Sequence, residues 1–405
     1  MPQSTQFRLS SPTHSSRRPA KTTSTSSWRL LFFTFVVPIA LASVLFWLEP
    51  FQPAHIPANL MSRRIMTVPV RYDRMRGGSE ALAEGDVEGP EDLVYDAAAG
   101  VIYTGCMDGW IKRVTVNESV GDSVVESLAR TEGRPLGVAL HRNGELLVAD
   151  SDKGLVKVTR EGQIELLTDE VEGLKFKFTD GVDVAEDGTI YLTDASYKYS
   201  FSDFMFDILE GKPHGRLISY DPSTNHTTLL VSNLYFANGV AVSPDQQFVV
   251  FCETMLRRCR KYYIEGPKKG SIEKFVEDLP GYPDNIHHDG EGQYWIGLAS
   301  SPTYSWELAM RYPVIRKAVA MVMKYVGKPR MEKNGGVIAV DLEGKPIAHY
   351  YDAEFSMISS VIRIGNHLYC GSLHYPFIIR LDLNKYAALH TTNQPHVQTD
   401  KTSEG

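Results

Sequence analysis

The sequence predicts an all-β fold, a six-bladed β-propeller with an N-terminal transmembrane helix and helical insertions between its strands. Six segments share one pattern: a polar residue beside a small one, an alternating strand, a glycine turn such as Arg142-Asn143-Gly144 or Glu186-Asp187-Gly188, and a second strand. Where no insertion intervenes the repeats start about 45 residues apart, the length of a four-stranded blade. A β-sandwich would not need the same polar position in every repeat.

Residues 1–27 are rich in Ser, Thr, Arg and Pro and read as a disordered cytosolic tail. Residues 28–48, from Trp28 to Leu48, carry one charge at their very start and are long enough to cross a bilayer as a helix. Arg17, Arg18, Lys21 and Arg29 precede or open the stretch and Glu49 follows it, which orients a type II signal-anchor with the body in the lumen. Ala40 and Ala42 offer a small-x-small site, so a cleaved signal peptide and a secreted or vacuolar body is the alternative. The sequons at Asn117 and Asn225 fit a luminal body as glycosylation sites.

Residues 49–84 read as a linker and entry strand, 85–385 as the propeller and 386–405 as a second disordered tail. Two insertions interrupt the repeats, Tyr197 to His214 and Pro302 to Arg330; the second has a helical pattern that Pro313 must kink or split. It reads as a lid over the axial channel, a packing helix or a membrane contact. Cys252 and Cys259 face each other across a hairpin as a disulfide or stay buried thiols; no cysteine spacing suggests zinc. The formal net charge of −7, without single-sign runs, excludes nucleic acid as a partner.

In a propeller the first strand of each blade lines the central channel. That register brings Glu91, Leu136, Asp180, Asn238, Asp284 and Ser360 toward the axis. Convergent carboxylates repel unless a cation sits among them, and a set of Glu, Asp and Asn without Cys or His is hard-oxygen chemistry. Calcium fits, with Asn285, a backbone carbonyl and waters completing the shell. Catalytic candidates are thinner: no G-x-S-x-G, H-E-x-x-H or phosphate loop appears, which leaves His287, His288 and His374 near the channel.

The strings EGPEDLVYD, GRPLGVAL, LLVADSDKGL, LTDASYKYSF, LYFANGVAVSPD, CETMLRRCRKYY, LPGYPDNI and LYCGSLHYPFIIRLDL resemble the plant strictosidine synthase-like family from about residue 85 to 385. Adipocyte plasma membrane-associated proteins are animal relatives, and paraoxonases are more distant ones. The resemblance implies a six-bladed propeller in the endomembrane system, in the endoplasmic reticulum or vacuole, and an axial calcium held by Glu91, Asp180, Asn238, Asp284 and Asn285. The relatives are expected to have asparagine at Asp180. The catalytic glutamate of strictosidine synthase aligns with Ser359 or Ser360, and the paraoxonase-type histidine with Leu136, so both relatives' bases are missing. The expected function is therefore a calcium-dependent hydrolase of esters or lactones, acting on a small molecule in the axial channel, with the ion stabilising an oxyanion and a channel carboxylate or water as base. A non-catalytic binding scaffold and an amine-aldehyde condensing enzyme of alkaloid biosynthesis are the alternatives.

Overall fold

The computed structural model describes residues 25–61, 64–327 and 333–385. The expected tails before residue 25 and from 386 to 405 lie outside the described residues, as does the end of the second insertion at 328–330. The chain separates into an N-terminal unit ending at Pro50 and a unit beginning at Phe51.

In the first unit, α1 (Thr25–Leu31) and α2 (Val37–Leu48) are joined by a π-helical turn, Phe32–Val36. The helix thus begins three residues before the apolar run. Pro38 explains the wider turn: it has no N–H and its ring would strike the carbonyl one turn back, a clash that a π-turn relieves. Trp28–Leu48 has a mean hydropathy of 2.4, and none of it is buried.

In the second unit, six sheets follow the chain order of the repeats. The first comprises Leu93–Asp96, Val101–Gly105, Trp110–Thr115 and Val125–Arg130; the next three open with Pro135–Leu140, Thr179–Val184 and Ala237–Val242. The fifth runs from Pro283–His288 to Pro346–Asp352 and gains a parallel edge strand, Val70–Tyr72. The sixth has only three strands from the C-terminal side, Ile358–Ile364, His367–Ser372 and Ile378–Asp382. Its outermost strand is Ser79–Leu82, antiparallel to Ile378–Asp382. Residues expected to enter the propeller therefore close its ring, and the closing pair is reinforced by Arg380 Nη2 donating to Glu80 Oε2 at 2.6 Å.

The inner strands touch one another in sequence around the axis, the sixth returning to the first. Glycine makes this approach possible. A Cβ on Gly137 would lie 2.4 Å from the Asp180 carbonyl oxygen, and one on Gly239 would lie 2.6 Å from that of Asp284. The glycine after the axial position in repeats two to four is thus a clearance requirement set by the next blade. Between the blades pack apolar layers such as Val138, Leu146, Val148 and Val156 with Tyr103 and Ile111.

Among the described residues the insertions form three α-helices: α3 (Phe204–Glu210), α4 (Tyr304–Arg311) and α5 (Pro313–Tyr325). Thr303 caps α4 through Oγ1, and Pro313 opens α5, so the proline splits the second insertion as its position demands. Met205, Leu209, Ala320 and Met323 join α3 to α5. Arg316, wholly buried, donates to the carbonyls of Leu209 and Ala54, and Ala54 N–H donates to Glu210 O at 2.8 Å. The chain after Phe51 therefore straps the helices in place.

Candidate metal centre in the axial cavity

The inner strands of blades two to five slip their register at the residue expected to face the axis. The shifts fall between Pro135 and Val138, Thr179 and Val182, Ala237 and Val240, and Pro283 and Ile286, bracketing Leu136, Asp180, Asn238 and Asp284. An irregularity of this kind re-aims a side chain out of the alternating pattern. With Glu91 these four line a cavity of about 500 Å³. Ser360 does not line it. Ser360 Oγ donates to Asp92 Oδ1 at 2.6 Å, Ser359 Oγ donates to the Glu91 carbonyl at 2.6 Å, and Met357 takes the blade-six place in the lining.

Oxygens of Glu91, Asp180 and Asp284 lie within 4.8 Å of one another, and all three residues are buried. Burial pushes Glu91 and Asp180 well above the ordinary carboxylate range, and the charge of Asp284 pushes each further. Asp284 is raised to about 7, chiefly by burial, although a hydrogen bond from the Asn238 amide works the other way. Three such groups cannot all be ionised near neutral pH unless a cation joins them. Arg134, buried beside Glu91, favours its ionised form without overcoming desolvation.

The donor set fits a hard divalent cation. Glu91 Oε2 is buried and has no hydrogen-bond partner, while Oε1 accepts from Asn285 Nδ2 at 2.7 Å. Asn238 Oδ1 accepts the Gly239 N–H at 2.8 Å, which fixes the side chain at the cavity floor. Glu91, Asp180 and Asp284, with Asn238 beside them, could hold a metal ion; their all-oxygen chemistry suits a hard cation rather than zinc. Asn285 is outside the cavity lining and serves here as a donor to Glu91.

The three candidate histidines do not reach this cavity. His287 Nε2 is 2.6 Å from Asp92 Oδ1; burial disfavours its charged form, but Asp92 more than compensates and the ring is raised above the ordinary histidine value. His288 accepts the Gly290 N–H through Nδ1 at 3.0 Å, and burial lowers it. His374 lies against Tyr375, with centroids 4.6 Å apart, and burial lowers it too. The sequons fall on exposed turns: Asn117 Nδ2 donates to Asp122 O at 2.7 Å, and Asn225 Oδ1 accepts from Tyr220 at 2.9 Å.

Above the acidic floor the walls are apolar. Phe178 meets Phe201 and Phe236 edge-on at 5.5 and 5.4 Å. Trp306 and Met310 of α4 and Ile315 and Val319 of α5 supply the roof, so the second insertion covers the cavity as well as packing against α3. Sequence reasoning missed Asp92, a buried hub that accepts from Leu93 N, Val138 N, Ser360 and His287. Its only signal was a second carboxylate beside Glu91. Arg134 was missed as well; its guanidinium lies 5.6 Å from the Phe201 ring centre.

Residues 77–114 match the model of a strictosidine synthase-like N-terminal family, and residues 180–267 that of strictosidine synthase. The strictosidine synthase-like 6 protein of Arabidopsis thaliana is 52% identical over 364 residues, covering 89% of this chain and 97% of that protein. The chain belongs to the strictosidine synthase-like family. A second Arabidopsis strictosidine synthase-like protein, number 4, is 50% identical with 89% and 98% covered. The family tie extends to the adipocyte plasma membrane-associated protein of Rattus norvegicus, 33% identical over 336 residues, with 75% and 86% covered. Solved structures share the propeller at 15% identity: a gluconolactonase from Xanthomonas campestris has a TM-score of 0.55, covering 83% of this chain and 99% of that one. A calcium-binding regucalcin from Agrobacterium tumefaciens has 0.52, with 78% and 95% covered. For this strictosidine synthase-like chain the N-terminal apolar helix is consistent with a signal sequence or an anchor.

Proposed function

We propose that this strictosidine synthase-like protein is a calcium-dependent hydrolase of esters or lactones. The carrying observation is the pairing of a buried, electrostatically frustrated acidic floor with an apolar chamber of about 500 Å³ above it. Glu91, Asp180, Asn238 and Asp284 would hold the ion. When bound, calcium supplies charge that neutralises the triad and polarises a carbonyl.

The remaining chemistry falls to the chain itself. No histidine lines the cavity, so one of the cavity carboxylates must take the proton of the attacking water; Asp284, which accepts a hydrogen bond from the Asn238 amide, is the one held in place for it. The aromatic walls hold the apolar part of the substrate and exclude bulk water. The names of two structural neighbours, a gluconolactonase and a calcium-binding protein, agree with this reading. A condensing activity is less well supported: Ser359 and Ser360 donate to Glu91 O and Asp92, leaving no proton acceptor at that place. We place the propeller in the lumen of the endomembrane system, held by Trp28–Leu48 as a type II anchor, with Asn117 and Asn225 glycosylated.

The test is hydrolysis of aryl esters and lactones by the full-length protein with calcium or chelator. Turnover should fall at least a hundred-fold with chelator and in Asn238→Ala and Asp284→Asn. No turnover with calcium bound would favour a binding scaffold. A chelator effect on melting temperature alone would make the ion structural.

A further inference from the structure

A second cavity of about 330 Å³ lies behind one wall of the first. The two share Met255, Tyr282 and Met310. The wall is unusual in composition. Two of its three side chains are methionines, which are unbranched, have three rotatable side-chain bonds and repack at little cost. Both are almost fully buried, so they are held between the two cavities rather than against bulk solvent.

The far side of the second cavity is built by the strap, through Ile56, Ala58 and Met61, which are apolar. Its outer margin carries the exposed Arg311 and the partly exposed Glu307. Arg257 lies beside them, but its guanidinium is spent on the Leu279 carbonyl at 2.9 Å and the Arg64 carbonyl at 3.3 Å. Among the described residues no acidic cluster or second metal set faces this chamber. It suits hydrocarbon running toward a polar mouth.

We propose that the ligand is an elongated amphiphile: its oxygen-bearing head meets the acidic floor, its body fills the first chamber, and a flexible alkyl tail passes Met255 and Met310 into the second. The identity of the head rests on the hydrolase reading; the tail site does not. A compact ligand would leave the second chamber unused, whereas each methylene that crosses the gate leaves water for an apolar wall, worth about four-fold in affinity.

The experiment measures binding of straight-chain N-methyl acyl amides, which the protein would not turn over, to the calcium-loaded full-length protein by calorimetry. Affinity should keep rising with chain length beyond the members that fill the first chamber. Met310→Trp, which blocks the gate, and Ala58→Trp, which fills the second chamber from the exposed strap, should each lower the ratio of long-chain to short-chain affinity at least ten-fold. Ala58 is exposed, so that variant folds even if the gate variant does not. A ratio unchanged in Ala58→Trp, or a wild-type affinity that does not grow with length, overturns the proposal. If the amides behave as stated and no ester is hydrolysed, the tail site stands and the hydrolase reading falls.

Discussion

His287 Nε2 lies 2.6 Å from Asp92 Oδ1, and this contact takes the best-placed histidine of the inner strands out of the chemistry of the cavity. Asp92 is one residue from Glu91, yet the two carboxylates do opposite work. Glu91 keeps an unpartnered oxygen in the cavity, while Asp92 spends its oxygens on Leu93 N, Val138 N, Ser360 and His287. Charged hydrogen bonds of this kind tie blades one, two, five and six together at the axis.

Asp92→Asn replaces one acceptor oxygen with a donor facing N–H and O–H groups, so stability should fall by about 2–4 kcal/mol in chemical denaturation. The pH dependence has a definite sign. His287 is raised in the folded protein, so its pairing contributes fully below the ordinary histidine value and is lost as pH rises through the elevated one. In Asp92→Asn that slope should flatten and the ring, followed by NMR, should titrate lower.

The acidic triad makes the ion-free protein sensitive to alkali. Asp284 is raised to about 7 from an ordinary 3.8, so its contribution is full below 3.8 and lost as pH rises through about 7. Calcium binds the ionised form, so the melting-temperature rise caused by calcium should grow from pH 5 to pH 8, reaching roughly 5 °C at a hundred-fold excess over Kd. Asp284→Asn should abolish that rise and, without calcium, melt higher than the wild type at pH 8. Equal calcium shifts at both pH values would refute the coupling.

Acid should act elsewhere. His349 is buried, its Nδ1 lacks a partner, and burial with the charge of Arg71 lowers it to about 4. It therefore folds neutral: its contribution is present above the ordinary 6.5 and disappears as pH falls toward 4, a difference worth ~3 kcal/mol. His349→Phe should flatten the acid limb of the stability curve over that window.

Ring closure gives a further prediction. Leu82 is 1% exposed in the strand that completes blade six. Leu82→Ala should cost about 2–5 kcal/mol from lost burial and the cavity left behind. Because this strand joins the two ends of the propeller, hydrogen exchange should speed up across Ile378–Asp382 before it does in the other blades.

Cys252 and Cys259 are direct cross-strand partners and are joined as a disulfide, which resolves the two readings of that hairpin. The loop is short, so reduction should cost only about 2–3 kcal/mol, measured as a shift in the denaturation midpoint, and should leave the fold intact.

Most of the site was legible because a propeller repeats its geometry. Glu91, Asp180, Asn238 and Asp284 occupy one register, and the following Gly181 and Gly239 mark where the neighbouring strand comes close. Blade six broke the pattern. Its slip occurs between Ile358 and Ser360, one residue tighter than in blades two to five, so Ser360 turns to Asp92 and Met357 faces the cavity. An alignment of repeats assumes equal spacing and cannot see a local slip. The same limit hid Asp92, whose partners lie 46, 195 and 268 residues away.

By itself the sequence determined the number of blades, the oxygen chemistry of the axis and the apolar N-terminal helix, because strand period, turn residues and hydropathy are local properties. Tertiary structure decided the rest. It set the pairing of Ser79–Leu82 with the last blade, the roof formed by α4 and α5, the methionine wall between two chambers and the withdrawal of His287 from the cavity. Each depends on which distant segments share a volume, and the free energy of burying them is a property of the assembled core rather than of any window of the chain.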